Sequence, residues 1–258
     1  TFERVAASLP PWARPAAEAG FSSFTTLSMP EPRQEEWRYV EVGVDLDALT
    51  LPAGAGEPLP REGSLAAVLG EPAGHAVNVD GHTVSSRAPD GARLASLAEA
   101  LSADGEALRR AFRSGPAAGI DRFSAAHHAF ATDGVFLHLA RGQRPAGPVL
   151  VEFQATAAGS LALPRLTVLA EEGAEASVVL HYRSPDGVTL VAVPQVEVLA
   201  DEGARLVLTT VQEWGDATRA FGHQAMTTGR DASRAFSEAG LGGSSSRLHL
   251  RIGLDGPG

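Results

Sequence analysis

The chain of 258 residues contains no cysteine. That excludes disulfides, thiolate nucleophiles and cysteine-ligated zinc or iron–sulfur sites within it. Lysine is absent too, since all 21 basic residues are arginine, which removes Schiff-base chemistry and the lysine of a phosphate-binding loop. Positive charge is scarce: 31 acidic residues leave a net charge of −10. Such a chain suits neither a polyphosphate backbone nor an anionic lipid surface. No apolar run reaches the roughly 18 residues that span a bilayer, and Thr1-Phe2-Glu3-Arg4 lacks the basic-then-apolar order of a signal peptide. The expected setting is the cytoplasm, without nucleic acid or membrane as partner. The absence of Met at position 1 suggests residues before Thr1.

What the chain does have is an echo of itself. Leu163-Pro164-Arg165-Leu166-Thr167-Val168-Leu169-Ala170-Glu171-Glu172-Gly173-Ala174 returns thirty residues later as Val193-Pro194-Gln195-Val196-Glu197-Val198-Leu199-Ala200-Asp201-Glu202-Gly203-Ala204. Each copy is a β-rich run closed by an acidic-Gly-Ala turn. A fixed period of this size marks stacked structural units. Two architectures fit: a parallel β-helix, whose strands stack about 4.8 Å apart, and an antiparallel jelly roll. Pro164 over Pro194 and Gly173 over Gly203 favour the β-helix.

The first 115 residues read as helical and mixed. Phe2, Val5, Ala6 and Leu9 have helical spacing and Pro10-Pro11 stops them. Trp12 to Ala19 predicts a second short helix ended by Gly20. Trp37 and Tyr39 read as anchors of an N-terminal arm on the body. Residues 50–64 are a Pro/Gly linker. Asp80-Gly81 predicts a type I′ hairpin turn over 75–84, and helices are expected over 94–101 and 106–112. Helical periodicity fades from about Ile120. Runs over 135–139, 149–153, 166–169, 176–180, 190–193, 196–199, 205–209 and 248–252 predict strands, so 120–258 reads as the β-helix core. Leu254-Asp255-Gly256-Pro257-Gly258 resembles another acidic-Gly turn, which predicts a core incomplete at its C-terminus.

Candidate chemistry is sparse. Neighbouring rungs would stack Glu171 over Asp201 and Glu172 over Glu202, near the carboxylate separation of retaining glycosidases. Yet the acids flank a glycine turn and aromatics make up only 6% of residues, too few for a row of sugar-stacking rings. Of the histidines, His75, His82, His127, His128, His138, His181, His223 and His249, none forms a His-x-x-x-His pair. His127 and His128, if on a strand, would point to opposite faces. His223 and His249 are the pair best placed for a cupin-like metal site. Gly240-Leu241-Gly242-Gly243-Ser244-Ser245-Ser246 lacks the Lys-Ser/Thr of a phosphate loop and reads as a connection between rungs. No catalytic, cofactor or metal residue is assigned.

In their order along the chain, several stretches resemble the SufB/SufD family of iron–sulfur cluster assembly subunits. They are Glu35-Glu36-Trp37-Arg38-Tyr39, Val77-Asn78-Val79-Asp80-Gly81 followed by Leu94 to Leu101, Phe123 to Val135, Leu163-Pro164-Arg165 with its Glu-Gly-Ala turn, Gly229-Arg230-Asp231-Ala232, and Gly240-Leu241-Gly242-Gly243. The chain departs from the family at His127-His128, where Leu-Asn is usual. The resemblance implies a right-handed parallel β-helix behind an N-terminal helical region. It implies a non-enzymatic scaffold that pairs with a SufB-like subunit and works with the SufC-like ATPase, or forms a homodimer when isolated. The absence of Cys favours the SufD branch, because SufB uses Cys for cluster chemistry. The family's partner contacts lie in a C-terminal third that this chain would lack, so no functional residue is carried over. No cofactor is expected on this chain, and an iron–sulfur cluster would be transient cargo of the full complex.

Overall fold

Proline and glycine punctuate the N-terminal region into short elements, and a computed structural model describes them over residues 2–103 and 105–255. Helix α1 (Phe2–Ser8) stops before Pro10-Pro11, and α2 (Arg14–Thr26) starts with Pro15 in its first turn. Gly20 does not end α2, as its position after Ala19 predicts. The helix runs on to Thr26 because Gly20 is where it meets the helix at Arg122–Phe130: an added Cβ would lie 2.6 Å from His128 Cβ. The glycine serves close approach rather than termination. Trp37, in a 3-10 turn at Glu35–Trp37, is buried as an anchor, whereas Tyr39 is 91% exposed and anchors nothing.

After α3 (Leu65–Leu69) come β1 (Gly74–Val79) and β2 (His82–Arg87). Asp80 and Gly81 both have positive φ, 51° and 86°, as a type I′ turn requires. Then follow β3 (Arg93–Ser96), α4 (Leu97–Ala103), α5 (Gly105–Phe112) and α6 (Arg122–Phe130). The start of the expected helix at Leu94 is therefore strand up to Ser96. Conversely, His127-His128 lie on a helix, not on a strand. Asp121 caps α6 by accepting from Ser124 N–H at 2.8 Å while the Ser124 hydroxyl accepts from Asp121 N–H at 3.1 Å, a reciprocal cap that fixes the helix start.

The rest of the chain winds into a parallel β-solenoid of about four turns. Its strands are β4 (Val135–Leu139), β5 (Val149–Gln154), β6 (Leu161–Ala162), β7 (Arg165–Ala170), β8 (Glu175–Arg183), β9 (Leu190–Ala192), β10 (Gln195–Ala200), β11 (Arg205–Glu213), β12 (Thr218–Thr228), β13 (Ser233–Gly240) and β14 (Ser245–Leu254). One sheet stacks Val135, Leu166, Val196 and Gln224; the other stacks Val149, Val178, Leu208 and Phe236. The thirty-residue echo is thus the pairing of β7 with β10. The turns form a ladder of their own. Gly142, Gly173 and Gly203 have φ of 69°, 67° and 67°, and Asp231 takes the same left-handed place at 54°. Gly142 N–H donates to Glu172 O, Gly173 N–H to Glu202 O and Gly203 N–H to Arg230 O, each at 2.9 Å.

Between the sheets, alternate residues such as Leu166, Val168, Val196, Leu180 and Leu208 form the core. Phe153, Tyr182 and Trp214 add an internal aromatic stack with centroids 5.2 and 5.4 Å apart. The outer face of the first sheet is covered. Phe136, Leu169 and Leu199 pack under α4 and α5, and Phe123 of α6 stacks on Trp37 and on Phe221 of β12. The N-terminal strands join the solenoid: β1 lies parallel beside β5 and β3 antiparallel beside β4.

Candidate functional site

Ionisable groups gather at three places, and the turn ladder is the first. Arg141 and Glu172 are 2.7 Å apart, Arg110 and Asp201 2.6 Å, and His138 and Glu171 3.0 Å, while Arg230 pairs with Glu202. With Arg110 and Arg141 the four acids line a shallow depression of about 450 Å3. Three of the acids therefore face an arginine and Glu171 faces a histidine. The His138 contact holds the Glu171 carboxyl below its ordinary range. A glycosidase general acid needs the opposite displacement, so Glu171 does not suit that role, and the arginines paired with Glu172, Asp201 and Glu202 occupy the other acids.

The second place is the seam between α6 and the first sheet. His223, fully buried, shares a contact of 2.8 Å between its Nε2 and Asp121 Oδ2. Burial would raise the Asp121 carboxyl, but the hydrogen bond and charge of His223 outweigh it and hold the group low. The ring of His249 stands 6.0 Å from that of His223, so the fold brings the predicted pair together. It does so on parallel strands β12 and β14, not in a jelly roll, and among the described residues no group of three or more His, Asp or Glu is placed to hold a metal. His127 and His128 turn their Nε2 atoms to Pro164 O at 3.1 Å and Pro116 O at 2.8 Å. Burial, with Arg165 nearby, pushes His127 well down and His128 down to about 4, so both rings are neutral at physiological pH. Glu197, 1% exposed, accepts from Arg165 Nε and Nη2 at 2.7 Å and from the Thr167 hydroxyl at 2.6 Å.

The third place runs across the outer face of the second sheet. His75 Nε2 meets Glu152 Oε1 at 2.7 Å, Glu152 Oε2 lies 3.8 Å from His181 Nδ1, and His181 Nε2 meets Glu213 Oε2 at 2.6 Å. Leu65 N–H donates to His181 Nδ1 at 3.2 Å. That assigns the ring proton to Nε2, which donates to Glu213. Glu152 is buried, which alone would raise its carboxyl, yet hydrogen bonds from neighbouring side chains, His75 among them, hold it far below the carboxylate range. The segment over 50–64, a linker by composition, is tied down here. Leu59 N–H donates to Gln154 Oε1 at 2.6 Å and Arg183 donates to Pro60 O at 3.0 Å.

Sequence reasoning missed Glu152 and Glu197. Each stands alone in an apolar run, and alternation alone places it on an outer face that should meet water. A helix and a loop cover those faces, a tertiary fact that alternation does not carry. The remaining histidine, His82, lies on β2 beside a cleft that Val5 and Leu161 also line.

These features define a class, a parallel β-solenoid whose outer faces are overlaid by an N-terminal helical region. Compared with protein families, residues 153–258 match the one described as SUF system FeS cluster assembly, SufBD core domain. The matched span begins in β5 and takes in the solenoid turns from β6 onward. The match supports the SufB/SufD family and involvement in iron–sulfur cluster assembly by the SUF system. No curated protein matches the chain.

Proposed function

We propose that the chain is a SufD-like scaffold subunit of iron–sulfur cluster assembly, with no catalysis of its own, working in the cytoplasm beside a SufB-like subunit and a SufC-like ATPase. The observation that carries this reading is the SufBD core-domain match falling on the solenoid itself. Two structural features support it. The acids of the turn ladder are paired with arginine or histidine, and in the seam Asp121 pairs with His223 and Glu197 with Arg165. In addition, β14 presents Leu250, Ile252 and Leu254, 38%, 50% and 81% exposed, along a sheet edge that carries no further strand among the described residues. Unpaired apolar edges are where another chain adds a strand. A cluster would be cargo passing through the assembled complex. A homodimer through the same edge is the assembly proposed for the isolated chain.

The test is ATP hydrolysis. The chain alone should show none, and adding it to SufB-like and SufC-like partners should change the hydrolysis rate of the SufC-like subunit. Turnover by the purified chain, or a rate indifferent to its presence, would overturn the proposal.

A further inference from the structure

A cleft of about 460 Å3 opens between α1, the segment at 51–53, the β1–β2 turn and the start of the first solenoid turn. That volume is in the range of small-molecule sites, roughly 300–1,000 Å3. Its apolar wall is formed by Val5, Phe130, Leu161 and Leu163. Val5, Leu161 and Leu163 belong to the buried set, so the cleft reaches core-facing side chains and not merely surface.

Its charged lining is asymmetric. Two acids border it, and both are spent. Asp80 accepts from Thr156 N–H at 2.6 Å, the Thr156 hydroxyl at 2.7 Å and Ala157 N–H at 3.2 Å. Asp133 accepts from Thr83 N–H at 2.8 Å, the Ser96 hydroxyl at 3.1 Å and Ala98 N–H at 2.9 Å. Two groups able to carry positive charge also border it, Arg4 and His82, and among the described residues neither side chain has a hydrogen-bond or ion-pair partner. Most other arginines here are paired, in a protein of net charge −10. A guanidinium with five unused donors beside an apolar wall recognises one chemistry: an anionic head on an apolar body.

We propose that this cleft binds a small amphipathic anion, a carboxylate or phosphate monoester with an apolar chain. The apolar part lies against Leu161, Leu163 and Phe130, and Arg4 and His82 hold the head. Neither the core-domain match, which begins at residue 153, nor the scaffold role requires such a site.

The experiment titrates isotope-labelled full chain with octanoate and with octyl phosphate, followed by amide chemical shifts, with 1-octanol as the neutral control. Saturable shifts should concentrate at Val5, His82, Thr132 and Leu161 with one or both anions, and the anion held more tightly identifies the head group. Arg4→Gln should weaken that binding about tenfold and His82→Gln severalfold, with the shifts of the solenoid unchanged, because neither side chain makes a hydrogen bond or ion pair among the described residues. Three results would overturn the proposal: no saturable shifts around the cleft with either anion, both variants within about twofold of the parent, or octanol binding as tightly as the anions.

Discussion

Gly20→Ala separates two opposed effects in one helix. Alanine is the better helix former by about 1 kcal/mol, so on propensity the substitution stabilises α2. Against that, the new Cβ would sit 2.6 Å from His128 Cβ and 2.9 Å from Ala129 N. Neither atom is the end of a flexible side chain, so the clash is relieved only by α2 moving off α6. That movement also loosens Phe24 and Phe21 from Phe130, whose rings meet edge-on at 5.2 and 6.1 Å. Overpacking of this kind costs about 1–3 kcal/mol. The expected balance is a net loss of about 1–2 kcal/mol, read as a lower urea midpoint at unchanged slope. Gly119→Ala, where an added Cβ meets nothing within 4 Å, is the control and should be neutral. A Gly20→Ala protein as stable as the parent would refute the reasoning, because it would show that α2 and α6 are not in contact at this glycine.

Further outcomes follow from the seam and the turns. His128 has a folded value of about 4 against about 6.5 in the unfolded chain. The unfolded state therefore binds more protons between those values. The stabilisation is complete above about pH 6.5 and is lost as the pH falls toward 4, by at most about 3 kcal/mol; His127 acts in the same direction. Denaturation at pH 7 and pH 5 should show the loss, and His128→Gln should reduce it; equal stability at both pH values would contradict the assignment. Glu197→Gln leaves the Arg165 charge without its partner and should cost about 3–5 kcal/mol in chemical denaturation, whereas Glu197→Leu with Arg165→Met should recover much of that. A single variant as stable as the parent would show that the pair is not buried. At the turns, Gly173→Asp should cost about 1 kcal/mol, because Asp231 already holds the same left-handed conformation. Gly173→Val should cost more, and equal losses in thermal unfolding would argue against that conformation.

The solenoid was legible where the sequence kept its register. Pro164/Pro194 and Gly173/Gly203 repeat at thirty residues, and apolar alternation marks the strands between them. The next turn was not legible for two reasons. Its spacing shortens to 28 residues, Val196 stacking on Gln224, and its inward places hold Gln224, Arg234 and Glu238, aligned with Val196, Leu206 and Thr210. Neither β12 nor β13 then shows the apolar period of a strand. Helix α6 hid behind the same expectation of β structure, although Asp121 and Ser124 stand at capping-box spacing. Part of the closing acidic turn predicted at 254–258 lies outside the described residues. Of the candidate sites, the acid stacking at Glu171/Asp201 was readable from the period. The arginines that neutralise it were not, because Arg110 comes from α5 and only the tertiary fold brings it there.

The proposed role makes this solenoid a working part of an assembly. The most direct measurement is size-exclusion chromatography with light scattering on the chain mixed with a SufB-like subunit and a SufC-like ATPase. One co-eluting complex containing all three is expected, weakened when Ile252→Asp and Leu254→Asp place charge on the β14 edge. Elution of the chain by itself, with the other two unaffected by it, would contradict the claim.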